Sequence, residues 1–133
     1  MEVIWRKCVE TAEKMHPQHK GTKPADVAKL FLWQNNLLKF YLDYNVDQAC
    51  SYGQELLDDL EDKLPAPELV DLKFSTATAL SLQGSQLTEA DSLYEAALAK
   101  IEPSATMKPF LLNNLGVNHF YQFIEKSTQV TSQ

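Results

Sequence analysis

Three stretches of this chain fall into register at a spacing of 39 residues. Leu38, Ala77 and Gly116 share one column, and Tyr41, Leu80 and His119 share another. The stretches between them align at 41, which sets Ala49 over Ala90 and Gly53 over Tyr94. A period near forty with two helical units per repeat is the signature of an α-solenoid. The reason is physical. Two amphipathic helices cannot cover their own apolar faces, so each hairpin packs on the next and the stack shares one continuous core.

The punctuation agrees. Four glycines and six prolines stand between long segments of helical period, and no segment alternates strictly enough for a strand. Residues 2–16 place Ile4, Cys8, Ala12 and Met15 on one face, and the polar segment 16–24 reads as a hinge loop. Five further helices follow, over 25–44, 46–63, 67–83, 88–101 and 107–125. Asn45 closes the second, Gly84 ends the fourth, Thr88 caps the fifth, and Pro103 lies just past the fifth. The division is an N-terminal helix with its hinge (1–24), a helical repeat domain (25–126) and a polar tail (127–133) that should fray.

Leu112-Asn113-Asn114-Leu115-Gly116, followed by Phe120, resembles the first helix of a tetratricopeptide repeat (TPR). Ala90, Tyr94 and Ala97 resemble the small–aromatic–small stripe of its second helix. The resemblance is fullest over 88–121. It departs from the family at Gly53, which stands where an aromatic is usual, at Trp33, offset by one, and in its repeat, which exceeds the common ~34 residues. A HEAT-like solenoid is the rival label. The resemblance implies an all-α, TPR-like superhelix of stacked antiparallel hairpins whose first helices line a concave groove. It places Asn35, Asn36, Lys39, Phe74, Ser75, Thr78, Asn113, Asn114, Val117 and Phe120 on that groove as protein-binding residues. Asparagines there would pair with an extended peptide backbone, and Phe74 or Phe120 would seat an apolar side chain. A clamp for a C-terminal carboxylate needs more basic residues than Lys39 supplies.

Chemistry is sparse. His16-x-x-His19 sits among loop residues without Cys, Asp or Glu ligands nearby. The acidic cluster Glu55, Asp58, Asp59, Glu61 and Asp62 lacks the spacing and turn glycine of a calcium loop, and so reads as a solvated helix face. His119 reads as a packing histidine on the core side of its helix. No serine has a nucleophile-elbow setting, and the glycines stand singly, so no phosphate loop exists. No catalytic residue, metal or cofactor is expected, and the chain reads as a non-enzyme.

A net charge of −6 argues against nucleic acid and anionic lipid. The charge is uneven: residues 1–46 hold seven basic and five acidic side chains, and 47–133 hold five and thirteen. No apolar run reaches the ~20 residues needed to span a bilayer. Cys8 and Cys50 read as free thiols of a reducing intracellular compartment, in the first place the cytoplasm. A mitochondrial matrix also fits a chain whose transit peptide has been removed.

The last helix carries apolar residues around most of its circumference, where a solenoid normally ends on a polar cap. Another chain, or downstream sequence, should cover it. The expected role is therefore a protein-interaction module: an adaptor, assembly factor or accessory subunit. It binds a peptide in the groove or a second chain over helix 107–125. The alternatives are a small subunit held permanently in an organellar complex and a TPR regulatory domain of a longer enzyme.

Overall fold

The computed structural model describes residues 2–15, 24–100 and 108–131, with side chains at 2–11, 27–100 and 108–126. Six α-helices account for nearly all of them: α1 (Glu2–Met15), α2 (Pro24–Tyr44), α3 (Val46–Leu60), α4 (Ala66–Gln83), α5 (Leu87–Lys100) and α6 (Lys108–Thr131). No strand occurs among the described residues. The chain is all-α. Met1, residues 16–23 with His16 and His19, and Ile101 and Pro103 lie outside the described residues, as do the side chains of Ala12 and Met15.

Local chemistry sets the helix limits. Asn45 serves two helices at once: its N–H bonds the Tyr41 carbonyl, and its Oδ1 accepts from the Gln48 N–H at 3.2 Å. α3 stops at Leu60, short of the expected 63, because Glu61–Lys63 tighten into a turn that feeds Pro65. Pro67 fits inside the first turn of α4, where its missing N–H costs nothing. At the other end Gly84 takes φ +83, and its N–H closes on Leu80 O.

Two expectations fail here. α5 begins at Leu87, so Thr88 is its second residue rather than its cap. α6 runs on to Thr131 through the segment expected to fray, since no Gly or Pro occurs between residues 117 and 131.

The helices pack in chain order, each against the next, and α4 also touches α2 and α6. α4 is therefore the most enclosed, with Leu72, Ala77, Ala79 and Leu80 fully buried. The 39-residue register is visible in the packing. On α2, Leu30, Phe31, Gln34, Leu37, Leu38 and Tyr41 are buried. So are Leu69, Val70, Lys73, Thr76, Ala77 and Leu80, which lie 39 positions on.

α3 and α4 pack closely at Gly53. A Cβ there would lie 2.5 Å from Thr76 Oγ1, which is why this column holds glycine where α5 holds Tyr94. Lys73 buries its stem and brings Nζ within 3.4 Å of Glu61 on the turn after α3.

The inward face of α1 is turned from the expected one. Ile4 is exposed, Cys8 is half-buried, Val9 points into the core, and Trp5 lies 6.5 Å from Trp33 of α2. Tyr41 donates to Glu2 Oε1 at 3.0 Å and ties α2 to α1. That bond and the one from Arg6 hold the Glu2 carboxyl below its usual pKa. Both cysteines are free, and burial pushes the Cys50 thiol up.

Candidate functional site

Tyr94 of α5 is fully buried, and its hydroxyl ends at the seam between α4 and α6. Thr78 donates to Phe74 O at 2.9 Å. Its single hydrogen is then used, so Tyr94 is the donor across the 3.0 Å contact to Thr78 Oγ1. Asn114 Nδ2 of α6 approaches the same oxygen at 3.4 Å. The Phe74 ring meets Tyr94 edge-on at 6.1 Å. Burial raises the Tyr94 hydroxyl above the ordinary tyrosine pKa. Over this seam lies a shallow cavity of about 80 Å³, with Thr78, Ser81, Tyr94 and Asn114 at its polar end and Leu82, Val117 and Tyr121 at its apolar end.

Of the ten residues assigned to a groove, four gather at this cavity and six do not. Thr78, Asn114 and Val117 come together at this cavity, and Phe74 lies beneath it against Tyr94. Phe120 and Asn113 are exposed on α6. Asn35 and Lys39 belong to a separate cluster between α2 and α4, where both address Asp71 Oδ2, at 2.8 and 3.4 Å. The Lys39 charge is thus already engaged, which leaves less for a bound carboxylate. Asn36 is half-buried, and Ser75 is buried at 2%, out of reach of a bound chain. Sequence reasoning missed Asp71, Ser81, Leu82 and Tyr121. The helical period carries the signal for Leu82 and Tyr121, since they flank Thr78 and Val117 by one turn.

A second polar cluster fastens α6 to α5. Asp91 accepts from Asn118 Nδ2 and from Gln122 Nε2 at 2.6 Å, and His119 Nε2 lies 2.9 Å from its Oδ2. Asn118 also donates to Leu87 O at 2.7 Å. His119 is exposed, not on the core side as expected; it reaches Asp91 from the solvent side.

A third feature lies between α1, α2 and α3: a cavity of about 370 Å³ lined by Val9, Leu37, Leu56, Tyr52, Gln34 and the charged Arg6, Glu10, Glu55 and Asp59. The expected acidic cluster is indeed exposed, with Asp59 near Lys63 and Glu61 near Lys73. Among the described residues no three His, Cys, Asp or Glu side chains converge to hold a metal, and no helix is long and apolar enough to cross a membrane.

The largest anomaly is α6 itself. Phe110, Leu112, Val117, Phe120, Tyr121, Phe123 and Ile124 are all exposed, Phe110 and Phe123 at 66%. The register shows which side is open. The column Phe31, Asn35, Leu38 and Leu42 on α2 is buried or half-buried, as is Val70, Phe74, Ala77 and Ser81 on α4. Its continuation on α6, Pro109, Asn113, Gly116 and Phe120, is exposed throughout. No family model, curated protein or solved structure matches the chain.

Proposed function

We propose that this protein is a non-catalytic interaction module, a TPR-like stack of helical hairpins that docks another protein chain along α6 and the adjoining α4–α6 seam. It serves as an adaptor, assembly factor or accessory subunit, and its free thiols suit a reducing compartment. The observation that carries this reading is the open column on α6, whose counterparts on α2 and α4 are covered. Leaving the apolar side chains on and beside that column, such as Phe110, Phe120 and Phe123, in water forgoes on the order of 2 kcal/mol each, which a docked chain recovers. Contiguous exposed apolar patches mark docking sites. Nothing in the seam resembles a nucleophile–base pair: Thr78 is saturated by Phe74, Tyr94 and Asn114.

Two measurements test the reading together. Partners co-purified with the intact chain from its source should be lost with Phe120→Glu, a change at an exposed position that leaves helicity intact by circular dichroism. Hydrogen exchange of the complex should slow at α6 amides. Retention of the same partners by the variant, with α6 unprotected, refutes it.

A further inference from the structure

The cavity between α1, α2 and α3 lies apart from the docking face on α6 and is built differently. Its volume of about 370 Å³ falls within the range of about 300–1,000 Å³ typical of small-molecule sites. Val9, Leu37 and Leu56, all buried, give it an apolar wall. Tyr52 lines it too, its ring held edge-on to Tyr41 at 5.9 Å, and aromatic rings attract cations. Around these stand exposed charges: Glu10 of α1, Glu55 and Asp59 of α3, and Arg6 of α1.

The charges do not balance. Three carboxylates stand against one guanidinium, and Arg6 is already bonded to Glu2 at 2.8 Å. Asp59 has Lys63 at 3.5 Å, but Glu10 and Glu55 have no ion-pair partner among the described residues. Glu55 and Asp59 also lie four positions apart on one helix, where like charges oppose each other. A bound cation relieves this excess. It is not a metal ion, because no three carboxylates among the described residues converge to hold one.

The second observation is independent of charge. Gln34, only 7% exposed, also lines the cavity, and its Oε1 is buried with no hydrogen-bond partner. Buried amide oxygens almost always have a donor, so this one asks for a donor that the chain does not supply. The last torsion of a glutamine side chain is soft, so the amide can turn to meet a donor in the cavity. An ammonium group answers both observations, since it carries three N–H donors, no acceptor and a positive charge.

We propose that this cavity binds a small organic cation, an amine whose apolar body lies on Val9, Leu37, Leu56 and Tyr52 and whose ammonium is shared by Gln34, Glu10 and Glu55. The proposal stands or falls separately from the docking face on α6.

Tryptamine, an indole with an ammonium arm, is the probe. It is titrated into the isotope-labelled full chain and followed by amide chemical shifts, with indoleacetate as the same ring bearing the opposite charge. Shifts should gather around Val9, Gln34, Leu37, Glu55 and Leu56 with tryptamine and not with indoleacetate. Glu55→Gln should weaken tryptamine about threefold. Glu95→Gln, the same charge change on the exposed side of α5, should leave its affinity unaltered. Gln34→Leu should weaken it about tenfold and yet leave the free chain at least as stable in urea, because the orphaned amide is gone. Absence of shifts at the cavity, or equal shifts with indoleacetate, overturns the proposal. So does equal weakening by Glu55→Gln and Glu95→Gln, which marks diffuse attraction to an acidic chain. A Gln34→Leu variant that loses stability and keeps its affinity overturns it as well, since the amide is then structural. Cavity shifts produced by a trilysine peptide and not by tryptamine also refute it, and make the occupant a protein side chain.

Discussion

Tyr94 joins three helices through one side chain: its ring against Phe74, its hydroxyl on Thr78, and Asn114 on the same oxygen. Tyr94→Ala removes the packing and the bond together and should cost roughly 3–5 kcal/mol. Tyr94→Phe keeps the ring and should cost about 1 kcal/mol. Urea denaturation separates the two; equal losses would mean that the ring contributes little. The buried hydroxyls also set an alkaline limit. Burial raises Tyr41 and Tyr94 above the ordinary tyrosine value of about 10, so the folded state holds these protons more tightly than the unfolded chain does. Their contribution is complete below pH 10 and falls as pH climbs from there through the raised folded values. Denaturation midpoints should therefore hold up to about pH 10 and drop above it, and less so in Tyr94→Phe. At this scale the sequence was partly readable. Thr78, Asn114 and Val117 follow from the column that the repeat defines. Asp71 does not, because its pairing with Asn35 and Lys39 depends on how α2 and α4 are rotated about their axes, which no spacing records.

Gly53 shows what an element requires of its neighbour. Alanine is the better helix former by about 1 kcal/mol, yet a Cβ at this position meets buried Thr76. Gly53→Ala should thus destabilise by about 1–3 kcal/mol net. Adding Thr76→Ala should recover much of that loss, because it removes the obstructing Oγ1 and Cγ2 together. A thermal-denaturation cycle of the two changes checks the coupling; additive losses would place the strain elsewhere. Helix number and most helix limits were legible, since Asn45, Pro67 and Gly84 act within a few residues of themselves. The inward face of α1 was not. Its few apolar residues allow either of two stripes, and the tilted contact of Trp5 with Trp33 favours the one through Val9. The start of α5 was missed for a similar reason. Ala90 closes on the Gln86 carbonyl, a backbone bond that asks for no capping side chain.

At the scale of the whole molecule, the 39-residue register was visible beforehand as a pattern of columns. It reappears as matching burial on α2 and α4. What the register could not tell was which columns would stay open, because that depends on neighbours rather than on the residues of one helix. Hydrogen exchange should grade accordingly: slowest in α4, which has four neighbouring helices, and fastest in α1 and the last turns of α6. Uniform protection across all six helices would contradict chain-order packing. That packing has a mechanical consequence. Among the described residues no helix is clasped by a remote part of the chain, so force applied at the two ends would peel the molecule open one helix at a time, as a series of small yields rather than a single rupture.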